Sequence, residues 1–285
     1  MLQDLEFGRL ENEYRNVEAT GKDTLFCFGG GKILIRRNGD NTLELPLVEQ
    51  VLPRSEKWEK WNDRPLQYLF RMHGVNYFLW MGQAGEFEGA FSYETVRTLR
   101  QTVSKEVCFA AMTAWHLFVW YRNSRFCGNC GTRTVHDGKE RMMRCPECGN
   151  MIFPRISPAV IVGVTNGDKL LLSKYAGRNY AHFAMIAGFT EIGETLEQTV
   201  EREVMEEVGL RVKNIRYYKS QPWGVDGNVL MGFYCDVDGD DTIHIDETEL
   251  SVAQWHLRSE IPAKDDGISL TREMIRVFEE GREPK

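Results

Sequence analysis

Residues 188–210 read Gly188-Phe189-Thr190-Glu191-Ile192-Gly193-Glu194-Thr195-Leu196-Glu197-Gln198-Thr199-Val200-Glu201-Arg202-Glu203-Val204-Met205-Glu206-Glu207-Val208-Gly209-Leu210. Thr195 with Gln198 three residues later is the capping-box pattern that starts a helix. Gly209 stands where a left-handed residue ends one. At roughly 100° per residue, Leu196, Val200, Val204 and Val208 form an apolar arc that faces a core. Glu207 falls inside that arc and Glu203 at its edge, with Glu206 flanking them. A surface helix keeps its acids on the opposite, solvated side. Acids turned toward the protein body repel one another and resist desolvation unless a cation neutralises them. Hard oxygen ligands in a partly open cluster suit Mg²⁺ or Mn²⁺.

Upstream, Cys127-Gly128-Asn129-Cys130 and Cys145-Pro146-Glu147-Cys148 are separated by fourteen residues. Two such knuckles fold back so that four thiolates meet one tetrahedral zinc ion. Gly131 and Gly149 follow each pair and allow the tight turn that brings backbone amides to the sulfurs. Four protein ligands close the site, so this zinc is structural. The other three of the seven cysteines, Cys27, Cys108 and Cys235, have no partner at ligand spacing and read as core residues.

Around these motifs the chain reads as mixed α/β (α+β) rather than a regular βαβ repeat. Residues 24–28 and 32–35 form a strand pair about Gly29-Gly30-Gly31, and residues 65–70 and 77–80 a second pair about His73-Gly74. The glycine run lacks the spacing of a phosphate loop and reads as a hairpin turn. An apolar helical pattern runs from Ser104 to Tyr121. After the cysteines, residues 159–164 and 169–172 flank Asn166-Gly167, a strong hairpin signal. Strands follow at 212–218, 229–237 and 252–257, and a closing helix at 269–280. We expect an N-terminal α+β domain over 1–122, a zinc ribbon over 123–152 and a larger domain over 153–285.

Composition excludes several classes. Hydrophobic residues make up 42% and charged residues 27% of the 285, enough for a core and unlike a disordered chain. A net charge of −7 argues against a general basic surface for nucleic acid. The apolar stretch 108–121 is too short to span a bilayer. The opening Met1-Leu2-Gln3-Asp4-Leu5-Glu6 lacks a basic-then-apolar leader, and we expect a cytoplasmic location.

Residues 188–210 fit every position of G-x5-E-x7-R-E-U-x-E-E-x-G-U, where U is a bulky aliphatic, and so resemble the Nudix box. Nudix hydrolases cleave a nucleoside diphosphate linked to another moiety, using divalent ions. The four-cysteine ribbon just ahead resembles that of the NADH pyrophosphatase branch, some of which also remove NAD caps from RNA. The resemblance covers about residues 90–285. It implies a mixed sheet between helices and a homodimer. It implies hydrolysis of NAD(H) to AMP and nicotinamide mononucleotide, with NAD-capped RNA as a larger substrate. By the same resemblance, Glu203, Glu207, Glu249 and the Ala187 carbonyl are ligands of Mg²⁺ or Mn²⁺, and Glu206 is a further ligand or a base. Arg202 orients the glutamates and Glu194 supports the loop. Phe189, Phe153, Glu140, Thr271 and Arg100 face the substrate, together with Gln221, Pro222, Trp223 and Asn228.

The family carries S-Q-P-W-P-F-P-x-S after the box. Here Ser220-Gln221-Pro222-Trp223 is followed by Gly224-Val225-Asp226-Gly227-Asn228, and the glycines lead us to expect a mobile segment. Trp223 has two readings, as a stacking surface for a base and as a core side chain. Two other functions remain in view. One is a Nudix hydrolase turned to ADP-ribose or another dinucleotide, which the altered segment motivates. The other is a non-catalytic nucleotide-sensing or RNA-binding module, which the complete set of glutamates disfavours.

Overall fold

The computed structural model describes every residue except 7, 40–41, 53–65, 83–90, 96–98, 100–102, 178–182 and 262–266. Two compact units divide the chain: Asp4–Arg155 with Gly224–Gly227, and Met1–Gln3 with Ile156–Trp223 and Asn228–Lys285.

In the first unit, β1 (Thr24–Gly29) and β2 (Lys32–Arg37) form the expected hairpin. Gly30 and Gly31 both take positive φ, +56° and +77°, as a two-residue turn between twisted strands requires. β3 (Leu43–Glu44) and the single turn α1 (Val48–Val51) follow. Next come β4 (Leu66–Met72), β5 (Val75–Trp80) and β6 (Phe91–Thr95). Pro65, the first residue of the expected second pair, lies outside the described residues. The sheet order is β3-β2-β1-β5-β4, with β6 on β2. β1 and β5 run parallel. Helix α2 (Lys105–Asn123) starts where the Ser104 side chain accepts the Val107 amide. Its Ala110, Ala111 and Ala114 share a core with Phe26, Phe28, Ile33 and Ile35; small side chains let helix and sheet approach closely.

The ribbon is a three-stranded sheet of β7 (Val135–His136), β8 (Met143–Arg144) and β9 (Met151–Ile152). Met143 and Ile152 belong to the α2 core, so the ribbon is packed into this unit. Cys27 and Cys108 are buried, as is Cys235 in the other unit.

The turn Gly224–Gly227 also groups here, and the reading of it as mobile does not hold. A Cβ added at Gly224 would lie 2.2 Å from the Met112 carbonyl oxygen in α2. Gly227, at φ +74°, has His116 Nε2 at 3.3 Å from the same construction. The glycines serve close backbone approach rather than freedom. Gly224→Ala is therefore expected to lower stability by about 1–3 kcal/mol, measured by denaturant titration; an unchanged midpoint would refute the packing.

In the second unit, β10 (Ser157–Asn166) is the central strand. It pairs parallel with β14 (Asn228–Val237), and antiparallel with β11 (Lys169–Tyr175) and β12 (Ile186–Phe189). β13 (Val212–Trp223) and β15 (Leu250–Leu257) complete the order β13-β14-β10-β11-β15. The hairpin after β10 is displaced by one residue from the sequence reading. Asn166 stays in the ladder opposite Lys169, its side chain donating to Asp241 at 2.7 Å. Gly167 at φ +59° then leads the two-residue turn.

Helix α3 (Leu196–Val208) covers one face, packing Val200, Val204 and Val208 on Val160, Val162 and Val164. Helix α4 (Leu270–Glu279) covers the other, packing Leu270, Met274 and Phe278 with Ile161, Leu170 and Tyr234. β10 thus alternates its side chains between two cores, and the sheet lies between helices.

Candidate active site and metal centre

The cap of α3 is the one read from sequence. Thr195 Oγ1 accepts the Gln198 amide at 3.2 Å, and Gln198 Oε1 accepts the Thr195 amide at 2.9 Å. Gly209 ends the helix at φ +69°. Glu203 and Glu207 are both buried, Glu207 at 1% exposure.

Arg202 uses all five of its N–H donors. It donates to Glu194 at 2.6 and 3.0 Å, Glu203 at 2.7 Å, Glu206 at 2.9 Å and the Phe189 carbonyl at 2.9 Å. A planar fork so occupied holds a fixed orientation. Glu194 accepts in addition the Glu191 amide and the Thr199 hydroxyl, both at 3.1 Å. The Arg202 guanidinium holds the Glu194 carboxyl down at about 2, so it stays ionised and ties the loop to the helix.

Glu207 is pushed the other way. Burial, then the charge of Glu203, then those of Glu249 and Asp246 raise it to about 8, while the Ala187 amide leaning toward it acts in the opposite sense. Among the described residues, neither of its oxygens has a hydrogen-bond partner of normal geometry. Burial also raises Glu203, against the pull of Arg202. A buried, unsatisfied carboxylate among other acids fits a divalent cation. Glu203 lies flat against β12, where a Cβ on Gly188 would fall 1.8 Å from its Cδ. Gly188→Ala is expected to expel that carboxylate and lower turnover ~10²-fold with the fold kept; wild-type kcat in the variant would refute this placement.

Glu249 arrives by a device that sequence reading missed. Beyond Gly209, the amides of His244 and Asp246 bond the Val208 and Glu207 carbonyls at 3.0 Å each, taking up acceptors left open at the helix end. Asp246 then accepts the Thr248 amide at 2.8 Å and hydroxyl at 2.6 Å, turning the chain so that Glu249 follows. The Asp246-x-Thr248 spacing, a side-chain-capped turn, was the available signal.

Strand register gathers several expected substrate residues. Partnered residues across a sheet share a face. Gln221, Leu230, Ala159 and Phe189 form one row across β13, β14, β10 and β12, on the α4 side. Trp223, Asn228 and Ser157 form the next row. Phe189, half-exposed, and Trp223 thus bound a floor of smaller side chains, roughly 16 Å apart by strand spacing and the two-residue offset between rows. Asn228 is buried and its Oδ1 has no partner among the described residues. Thr271 lies in the first turn of α4, and Pro222 is exposed. Gln221, expected at the substrate, is instead fully buried and engaged with the protein.

Glu140 and Phe153 belong to the other unit. The Asp137 carboxylate accepts the amides of Lys139 and Glu140 at 2.8 and 3.0 Å, forming the turn on which an exposed Glu140 sits. Phe153 is half-exposed. Arg100 lies outside the described residues.

The four ribbon cysteines gather as their spacing implies. All four sulfurs lie within 4.8 Å of one another, with Cys127–Cys148, Cys130–Cys145 and Cys130–Cys148 at 3.6, 3.5 and 3.6 Å. Sulfurs about 3.8 Å apart are what a tetrahedral zinc with 2.3 Å bonds requires. Gly131 and Gly149 take φ +74° and +72°. The amides of Cys130 and Asn129 pull the Cys127 thiol down to about 6, favouring the thiolate that binds metal. Among the described residues this is the one group with ligand atoms so tightly clustered.

Residues 155–278 match the NUDIX domain, and residues 122–153 match the NADH pyrophosphatase zinc ribbon domain. The chain is 34% identical over 202 residues to the NAD-capped RNA hydrolase NudC of Pectobacterium atrosepticum, covering 68% of this chain and 77% of that one. The chain belongs to the Nudix hydrolase family. Within it, the ribbon places it with the NADH pyrophosphatase branch. A second relative, NAD-capped RNA hydrolase NudC of Pseudomonas aeruginosa, is 41% identical over 161 residues, 56% of this chain and 57% of that one; the match thus spans little more than half of that relative's length. Among solved structures, a NUDIX hydrolase from Nitrosomonas europaea aligns over 55% of this chain and 91% of its own, at 26% identity and a TM-score of 0.48. The Nudix helix is α3, and its Nudix loop is the Arg202-tied segment before it.

Proposed function

We propose that this Nudix protein hydrolyses the pyrophosphate bond of NAD(H), giving AMP and nicotinamide mononucleotide, and accepts NAD-capped RNA as a larger substrate. The observation that carries the reading is Glu207, buried and unsatisfied beside Glu203 on the helix that follows the Nudix loop. Glu203, Glu207, Glu249 and the Ala187 carbonyl would hold Mg²⁺ or Mn²⁺. Bound there, such ions polarise a pyrophosphate and lower the pKa of water. The protein's own part is placement. Arg202 fixes Glu203 and Glu206 while satisfying the Phe189 carbonyl, and Phe189 and Trp223 offer rings for a base and a nicotinamide. Glu206, more exposed than the others and paired with Arg202, would act as a base or a further ligand. The names of the NudC relatives support the NAD moiety. A second copy completing the assembly and a cytoplasmic location belong to the same proposal. Among the described residues, no helix is long and apolar enough to cross a membrane.

A panel of NADH, NAD, ADP-ribose and NAD-capped RNA, with products identified by mass spectrometry, tests the reading. AMP and nicotinamide mononucleotide are expected, in a reaction abolished by a chelator and restored by Mg²⁺ or Mn²⁺. Efficient cleavage of ADP-ribose without cleavage of NAD(H) would transfer the assignment to that substrate.

A further inference from the structure

Gln221 is fully buried, and its side-chain amide is almost entirely spent. Nε2 donates to the Ile268 carbonyl at 2.7 Å and to Gln3 Oε1 at 3.1 Å, and Oε1 accepts the Leu270 amide at 2.8 Å. A glutamine amide has two N–H donors, and both are used. The Leu270 amide is one of the first in α4, which have no partner inside the helix. The cap of α4 is therefore shared, Ser269 Oγ accepting the Arg272 amide at 3.4 Å and Gln221 taking Leu270. The residue after Leu270 is Thr271. Two residues along β13 from Gln221, on the same sheet face, is Trp223.

We propose that Gln221 is a positioning residue: it joins the strand end bearing Trp223 to the helix start bearing Thr271, and fixes the separation of these two walls without touching substrate. The proposal rests on reading Trp223 and Thr271 as walls of the dinucleotide slot. An apolar side chain of the same length leaves the Leu270 amide buried and unpaired and the Ile268 carbonyl with the Leu2 amide as its remaining donor, and an unpaired amide there is relieved only if the helix start moves toward water. The wall then shifts, while the glutamates of α3, on the opposite face of the sheet, keep their places.

The test compares Gln221→Met and Gln221→Glu with wild type, using whichever dinucleotide of the panel the wild type cleaves. The slot argument therefore stands apart from the choice of NAD(H). Gln221→Met is expected to raise KM at least tenfold with kcat within threefold, and to speed hydrogen exchange at the amides of residues 270–273. Gln221→Glu keeps the acceptor for Leu270 and loses the donors, so its exchange at Leu270 stays slow and its KM falls between the other two. Unchanged KM in folded Gln221→Met would overturn the proposal, since a purely structural role lowers Tm alone. A raised KM with unaltered exchange would overturn it as well, by making Gln221 a direct substrate ligand. If Gln221→Met does not fold, Gln221→Leu, which removes the same acceptor from the Leu270 amide, is read by the same two measures.

Discussion

Glu207→Gln will lower turnover by roughly 10³-fold, the order seen when one transition-state-stabilising group is removed, and will make the metal-free protein more stable. The substitution keeps the shape and removes the charge that burial and Glu203 oppose. In zinc-loaded wild type without Mg²⁺ or Mn²⁺, the folded chain holds a proton on Glu207 up to about pH 8, whereas the unfolded carboxyl releases it near 4.5. Between those values the folded state binds more protons, so stability falls as pH rises, by on the order of a few kcal/mol. Below that window the difference vanishes. Thermal melts of zinc-loaded protein freed of Mg²⁺ and Mn²⁺, from pH 5 to 8, should slope downward for wild type and run flatter for Glu207→Gln. Parallel slopes would refute the buried carboxyl, and near-normal turnover would refute the metal site.

One equivalent of zinc is expected to accompany the protein, and Cys145→Ser should cost folding rather than chemistry. Cys145 is buried, and ribbon residues Met143 and Ile152 contribute to the α2 core. Losing the metal therefore loosens the core of that unit as well as the knuckles. Binding energies of structural zinc sites, about 10–16 kcal/mol in isolated fingers, convert into folding energy. Cys145→Ser should consequently fall largely into the insoluble fraction or melt many degrees lower. Its soluble remainder should still require Mg²⁺ or Mn²⁺ for any turnover. Well-folded protein without zinc by elemental analysis, or a Cys145→Ser variant with wild-type Tm, would overturn this.

What was legible in the sequence was local. The capping box at Thr195, the stop at Gly209, the cysteine knuckles and the Gly30-Gly31 turn each depend on residues a few positions apart, and all appear in the structure. Glu207 was readable because helical periodicity turned an acid into an apolar arc. The rest depends on partners distant in sequence. Parallel pairing of β1 with β5 leaves no local mark. Gly224 was misread because a glycine that gives freedom and one that permits contact are the same letter; only Met112 on α2 distinguishes them. Gln221 was assigned to substrate because a motif names a residue without saying which way its amide points. Its partners Gln3, Ile268 and Leu270 lie far from it in the chain.

The parallel ladder between β10 and β14 also sets an order of events in synthesis. β10 emerges first, and α3 soon after it, with Val200, Val204 and Val208 ready to cover the strand. Phe233 and Cys235, the β14 part of that same core, leave the ribosome only after β13 has been made. Closing so long a loop carries an entropic cost that the ladder recovers only once formed. Until then α3 has half a surface to lie on, and its acid-lined stripe is open to solvent. Nascent chains halted before residue 228 should accordingly be protease-sensitive across α3, and those extended past 237 with room to clear the exit tunnel should resist.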